Sequence, residues 1–89
     1  MAVYSDATHA IMLTHSWTGR TPAELSILVH EMVHHLQNKA GLTYACAGER
    51  EAPAYAAQAM WLRQFGTDLE REFSIDPMTL KIKTTCMFP

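Results

Sequence analysis

Two histidines and a glutamate stand in this 89-residue sequence at a spacing that suits metal chemistry. His30 and His34 are four positions apart, so on an α-helix they lie about one turn apart on the same side. Both imidazoles can then reach one point beside the helix, and that point can hold a zinc ion. Glu31 lies about 100° around the helix from His30, which suits a carboxylate that touches a zinc-bound water instead of the zinc itself. This HExxH pattern predicts a zinc site.

The HExxH pattern lies within a segment that has clear helix signals at both ends. Thr21 is a suitable N-cap, Pro22 occupies the first helical position, and Glu24 completes a capping box. Gly41 suits the left-handed residue that follows a helix, so the helix should run from Pro22 to about Ala40.

An apolar stripe on that helix predicts which side faces inward. We expect this stripe to pack against the sheet or another helix, and the two histidines to lie on roughly the opposite side. The members of the stripe recur at spacings of three and four: Leu25, Leu28, Val29, Met32 and Leu36.

A catalytic zinc site usually has three protein ligands and one open position, so a third ligand is needed. A second helix is predicted to begin near Glu49 to Glu51 and to end at Gly66. Glu51 comes seventeen positions after His34, which is enough chain to return to the same point, and Glu49 is the alternative ligand. Pro53 fits only the first turn of a helix, so either Glu51 lies at the extreme start of the helix or the helix bends there.

The expected fold class is α+β, with a short N-terminal β-hairpin packed on the HExxH helix and on a second, antiparallel helix, followed by a short C-terminal helix. We expect one minimal domain over residues 1–89, and the missing leader sequence is also compatible with the C-terminal part of a longer protein. The shorter predicted elements are strands at Val3-Tyr4 and His9–His15 within a hairpin over residues 1–20, a helical turn over Asp68–Phe73, and a helix from Asp76-Pro77 to about Lys83.

Composition and charge restrict the classes of partner. The sequence is 48% hydrophobic and 18% charged, with a net charge of −2, which is typical of a globular protein and argues against binding to nucleic acid or to an anionic membrane. It contains no run of eighteen apolar residues, so no membrane-spanning helix is expected. No pattern in the sequence identifies an oligomeric state.

The state of the two cysteines indicates the cellular compartment in which the protein is located. Cys46 and Cys86 do not form a CxxC pair, so they are either one disulfide or two buried free thiols. A disulfide together with a missing leader would indicate a periplasmic or secreted protein, and free thiols without a leader would indicate a cytoplasmic one.

The HExxH pattern followed by Glu51-Ala52-Pro53-Ala54-Tyr55 resembles the gluzincin branch of the zincin metallopeptidases, in which a glutamate on a second helix is the third zinc ligand. In that branch aspartate is frequent where this sequence has Tyr55. More closely, the chain resembles, from Tyr4 to Cys86, a family of small bacterial HExxH proteins of unknown function. That resemblance is carried by Leu28 to Gln37, Tyr44, Cys46, Arg50-Glu51, Ala54-Tyr55, Gln58, Trp61-Leu62 and Thr85-Cys86. It implies a minimal zincin-like fold with zinc held by His30, His34 and Glu51.

The expected function is that of a zinc-dependent metallopeptidase acting on a peptide or protein substrate. Glu31 would act as the general base that takes a proton from the attacking water and passes it to the leaving amine. Tyr55 or His15 would stabilise the developing oxyanion. The alternative is a non-catalytic binding or structural module stabilised by zinc, because a chain this short has little surface with which to form a substrate cleft.

Overall fold

The computed structural model describes residues 2–86; Met1 and residues 87–89, at the ends of the predicted domain, lie outside the described residues. The fold is α+β, with an N-terminal two-stranded antiparallel hairpin and helices after it, as the sequence predicts. Among residues 2–86, no helix has the length and apolar character needed to cross a membrane. In chain order the elements are β1 (Val3–Ser5), β2 (Ala10–Met12), α1 (Pro22–Lys39), α2 (Ala47–Arg63), α3 (Leu69–Phe73) and α4 (Pro77–Thr84).

The hairpin is shorter than predicted. β1 and β2 pair with Tyr4 opposite Ile11, and β2 ends at Met12 instead of reaching His15. A strand stays paired only as far as its partner extends, and β1 offers three residues. His9, predicted to begin the second strand, has a φ of 56° and belongs to the turn.

The ends of α1 follow their local signals. The side chain of Thr21 accepts a hydrogen bond from the backbone N–H of Glu24, Pro22 lies at the first helical position, and Lys39 is the last helical residue. The Glu24 carboxylate accepts hydrogen bonds from the backbone N–H and the hydroxyl of Thr18 instead of from the backbone N–H of Thr21, so only the first half of the predicted capping box is formed. Gly41 follows with a φ of 68°, a left-handed conformation that glycine adopts without strain.

The buried side of α1 differs from the prediction. The apolar residues Met32 and Leu36 are 50% and 64% exposed, so the expectation that the whole stripe faces inward is wrong for these two members. The histidines, expected on the outward side, are buried against α2. This arrangement is tolerated because every fully enclosed polar side-chain atom among residues 2–86 has a hydrogen-bond partner. The buried residues of α1 are Ser26, His30, Glu31, His34 and Gln37.

Helix α2 begins earlier than predicted. It starts at Ala47, where the sulfur of Cys46 accepts a hydrogen bond from the backbone N–H of Glu49. Glu51 therefore lies one turn inside the helix, so the first of the two predicted alternatives, a position at the extreme start, is wrong. Pro53 is within the second turn and exposed to solvent, where its missing N–H removes one helical hydrogen bond.

The C-terminal segment packs on α2 and completes the core. Leu62 of α2, Leu69 of α3 and Ile75 form a small buried cluster. A disulfide joins Cys46 and Cys86, which ties the residues after α4 to the N-terminus of α2. Of the two states that the sequence allowed for these cysteines, the structure has the disulfide. The helix that carries Glu51 is thereby connected to the end of the described chain.

Candidate metal centre

Three side chains from two helices converge on one point. α1 contributes His30 and His34, one turn apart, and α2 contributes Glu51. The Oε1 atom of Glu51 lies 3.2 Å from Nε2 of His30 and 2.5 Å from Nε2 of His34. Possible ligand atoms of the three residues all lie within 4.8 Å of one another. The three positions that the sequence proposed as zinc ligands are thus brought together.

Hydrogen bonds around Gln37 determine which nitrogen of His34 carries the proton. The Gln37 side chain lies 2.9 Å from the backbone carbonyl oxygen of Arg50, and because a carbonyl only accepts, the atom facing it is the amide nitrogen. The amide oxygen of Gln37 therefore faces Nδ1 of His34 at 2.8 Å. That oxygen accepts, so Nδ1 of His34 donates. In the neutral imidazole, Nε2 then carries a lone pair directed away from Gln37.

A second glutamine has the same effect on His30. The hydroxyl of Ser26 donates to the backbone carbonyl of Ala23 and so accepts from the Gln58 amide nitrogen at 3.1 Å. The amide oxygen of Gln58 then faces Nδ1 of His30 at 2.9 Å and accepts its proton. Nε2 of His30 is left with a lone pair as well. Each histidine thus has a fixed tautomer and ring orientation, an arrangement typical of metal-ligating histidines.

The chemistry of this donor set fits a cation. Two imidazole lone pairs and a carboxylate oxygen meet without a protein donor between them, so a positive charge at that point stabilises all three. When no ion is bound, a proton can supply that positive charge: the hydrogen bond that the Glu51 carboxylate accepts from His34 raises the pKa of His34, and the hydrogen bonds from the two histidines lower the pKa of Glu51. Two nitrogens and one carboxylate oxygen are a ligand set found at catalytic zinc sites.

The alternative site residues lie elsewhere. Glu49 is exposed, and its carboxylate accepts a hydrogen bond from the backbone N–H of Ala45 before α2. Within residues 2–86 it is not part of the group of potential ligands. His15, one of two candidates for stabilising an oxyanion, is exposed in the segment between β2 and α1. The structure brings neither residue into the cluster of His30, His34 and Glu51.

Glu31 lies beside the cluster of His30, His34 and Glu51 as a largely buried carboxylate. The residue is only 8% exposed, yet its carboxylate accepts no hydrogen bond from residues 2–86. Burial raises its pKa, and the nearby charge of Glu51 adds to the effect. Its oxygens are not fully enclosed, because no buried side-chain oxygen within the described chain lacks a partner. The carboxylate is therefore available to a molecule that enters the site.

Tyr55 packs against the first histidine of the motif. The ring centroids of Tyr55 and His30 are 4.5 Å apart at an interplanar angle of 75°, an edge-to-face contact. Its hydroxyl has no hydrogen-bond partner within residues 2–86, and burial raises its pKa. The hydroxyl therefore stays protonated at neutral pH and can donate a hydrogen bond.

No sequence pattern predicted a role in the site for Gln37, Gln58 or Ser26. Gln37 stands three positions after His34 on the same helical face, and that spacing was the available signal. Gln58 stands seven positions after Glu51, two turns along α2, which places it on the same side as that residue. Both signals acquire meaning only once α1 and α2 are known to face each other.

The hairpin also supports the helix that carries Glu51. The guanidinium of Arg50 donates to both carboxylate oxygens of Asp6 at 2.9 and 2.6 Å. The backbone carbonyl of the same Arg50 accepts from Gln37. Asn38 of α1 donates to the backbone carbonyl of Asp6 and to the hydroxyl of Tyr4. The turn between β1 and β2 is therefore joined to both site helices.

Comparison with known proteins places the chain in one family. The family model of the domain of unknown function DUF6647 matches residues 1–88, so the chain belongs to that family. No curated protein and no solved structure matches the chain significantly.

Proposed function

We propose that this protein is a zinc-dependent metallopeptidase of gluzincin type, with the zinc ion held by His30, His34 and Glu51. The observation that carries the proposal is the convergence of two imidazole lone pairs, each imposed by a glutamine, with a carboxylate oxygen from the facing helix. A structural helix histidine has no need of a fixed tautomer, whereas a ligand histidine does. A bound zinc ion would supply Lewis acidity, lowering the pKa of a coordinated water to about 7.

Glu31 is proposed as the general base. Its carboxylate has no hydrogen-bond partner within residues 2–86, so its lone pairs are available to take a proton from an attacking water. Burial raises its pKa, which makes the carboxylate a better acceptor of that proton, and the carboxyl group then passes the proton to the leaving amine. The same residue thus serves as base in the first step and as acid in the second.

Tyr55 is proposed to stabilise the oxyanion. Its ring is fixed against His30, and its hydroxyl is protonated and has no partner within the described chain. A hydroxyl in this position can donate a hydrogen bond to the negative charge that develops on a substrate carbonyl oxygen. His15 is the weaker alternative, because it is exposed in the segment before α1.

The experiment that tests the peptidase proposal compares the zinc-loaded protein with a Glu31→Gln variant on a peptide library, with zinc content measured for both. We expect cleavage by the parent, and in the variant a full zinc complement with a rate lower by roughly 10²- to 10⁴-fold, because the general base is lost. Glu49→Gln, the same change at an exposed glutamate, is the matched control and should cleave like the parent. Undiminished cleavage by a zinc-loaded Glu31→Gln variant would refute the mechanism.

A second candidate function is a zinc-stabilised binding module without turnover. The described core is small, since its buried cluster comprises Leu62, Leu69 and Ile75, so a metal bridging α1 and α2 would contribute much of the stability. A groove of about 630 Å³ is lined by Gln37, Arg50 and residues of the loop between α1 and α2 but by none of the three proposed zinc ligands, so a partner could bind there without touching them. Two results together would favour the binding module over the peptidase: fully zinc-loaded protein cleaves no peptide of the library, and a chelator strongly destabilises the protein.

The Cys46–Cys86 disulfide supports a location outside the reducing cytoplasm. We therefore propose that the protein is periplasmic or secreted. Isolation of the protein under thiol-trapping conditions, followed by a non-reducing mass measurement, tests this location. Two trapped thiols in protein taken directly from its native source would contradict it.

A further inference from the structure

A small recess adjoins the proposed base and the first histidine. It has a volume of about 30 Å³ and lies between α1, α2 and the segment that runs from α3 to α4. α1 contributes His30 and Glu31 to its wall, so anything that fills it lies within reach of the reacting groups. Its lining residues are Ile27, His30, Glu31, Tyr55, Gln58, Phe73 and Ile75.

The recess favours an apolar occupant. Ile27, Phe73 and Ile75 supply hydrocarbon walls, and the aromatic ring of Tyr55 adds another. The amide of Gln58 has both of its groups already hydrogen-bonded, to His30 and to Ser26. An acidic side chain would lose its hydration there and be repelled by Glu31, and the long side chain of lysine or arginine has more heavy atoms than the recess can hold.

The size of the recess limits the occupant to about two heavy atoms. A water molecule needs roughly 10–15 Å³ of such volume, so about 30 Å³ holds approximately two atoms of that size. The side chains of alanine and serine fit, with one and two heavy atoms. A leucine side chain has four heavy atoms and requires the wall to move.

We propose, on the basis of the proposed function, that this recess is the specificity pocket of the enzyme. It accepts the side chain of the substrate residue next to the cleaved bond, and it selects peptides with glycine, alanine or serine at that position. Phe73 and Ile75 set the upper limit of size, because they form the part of the wall contributed by α3 and the segment after it. They are specificity-determining residues that take no part in the proton transfers.

Binding of hydroxamates to the zinc-loaded full chain tests the recess without relying on turnover. Acetohydroxamate, which has no side chain, reports on the zinc site alone. Acetylalanine hydroxamate and acetylleucine hydroxamate place a small and a large side chain next to the zinc-binding group, and titration calorimetry gives the affinity of each. We expect the alanine compound to bind roughly 10- to 200-fold more tightly than the leucine compound, the range typical of size discrimination in an apolar pocket.

Substitutions of the lining residues Phe73 and Ile75 should change the ratio of the two hydroxamate affinities. Phe73→Ala should shift the preference towards the leucine compound by at least about 10-fold, while Phe65→Ala, the same change at an exposed position, should leave the ratio unchanged. Ile75→Val removes only one methylene and serves if Phe73→Ala does not fold. Its matched control is Ile82→Val on the exposed side of α4.

The outcomes separate this inference from the proposed function. If acetohydroxamate fails to bind zinc-loaded protein, or the protein holds no zinc, the enzyme proposal falls and the recess loses its role with it. If acetohydroxamate binds but the alanine and leucine compounds bind equally, the zinc site stands and the specificity pocket is refuted. An unchanged ratio in the folded Phe73→Ala or Ile75→Val variants would likewise refute the assignment of the wall residues.

Discussion

Replacing Gln58 with methionine removes the acceptor that fixes the proton of His30 on Nδ1. The amide oxygen of Gln58 lies 2.9 Å from that nitrogen, and both residues are buried. With zinc bound at Nε2, the proton must stay on Nδ1, where methionine offers it no comparable acceptor. Without zinc, the proton can move to Nε2 and bond to Glu51, whose Oε1 lies 3.2 Å away. The substitution therefore penalises the zinc-bound state in particular.

The expected loss of zinc affinity can be estimated, because the substitution penalises the zinc-bound state and not the zinc-free one. A buried donor left without an acceptor costs about 1–3 kcal/mol, and loss of a comparable hydrogen-bond partner of a metal ligand weakens metal affinity roughly 10- to 100-fold. We expect Gln58→Met to raise the zinc dissociation constant within that range. Gln64→Met, the same change at an exposed glutamine after α2, is the matched control and should bind zinc like the parent.

The assay is competition for zinc against a chromophoric chelator. It is carried out at a pH at which circular dichroism shows that all variants are folded. Gln58→Glu keeps an acceptor for His30 and should bind zinc at least about 10-fold more tightly than Gln58→Met. A folded Gln58→Met variant with the zinc affinity of Gln64→Met would show that the glutamine does not orient the ligand, and would remove the main support for the metal centre.

Three further predictions concern stability. Removing zinc with a chelator should lower the melting temperature, measured by scanning calorimetry, by about 10–20 °C. The reference is protein in free zinc at about 100 times the dissociation constant. An unchanged melting temperature would argue against a bound metal. Hydrogen bonds from Thr18 hold the pKa of Glu24 below its ordinary value, so the contribution of Glu24 to stability is present above the ordinary pKa of a glutamate and is lost as the pH falls through the lowered pKa. Glu24→Gln should therefore flatten the acid limb of the stability curve measured with urea, and an unaltered limb would contradict the assignment. The double variant Cys46→Ser/Cys86→Ser should lose about 4 kcal/mol of unfolding free energy in the same urea assay. The reason is that the disulfide, which joins residues 40 positions apart, restricts the unfolded chain and so lowers its entropy. Full stability in the double variant would refute this contribution.

The sequence predicted well those features that depend on neighbouring residues. Thr21, Pro22 and Gly41 mark the ends of α1 through capping and backbone conformation, and these act within one turn of the chain. The fold class could also be anticipated, because the hairpin and the helices each have local signals. The convergence of the HExxH histidines with Glu51 needed only a loop long enough to bring α2 back against α1.

Features that depend on contacts distant in sequence were missed. The apolar stripe suggested that Met32 and Leu36 would be buried, but the inward side of α1 is the polar one, because glutamines on both helices satisfy its histidines. The Gln58 bonds to α1 span 28 and 32 positions, and no periodicity within one helix reveals such pairs. The start of α2 was misplaced because a disulfide sulfur at Cys46 serves as its cap.

The zinc content per chain, measured by elemental mass spectrometry for the parent, Glu51→Gln and Glu49→Gln, decides whether His30, His34 and Glu51 form a metal centre. Glu51 lies in the proposed metal centre and Glu49 outside it, on the same helix two positions away. The metal centre predicts about one zinc ion per chain in the parent and in Glu49→Gln, and much less in Glu51→Gln. No zinc in the parent after reconstitution, or equal zinc in all three proteins, would contradict it.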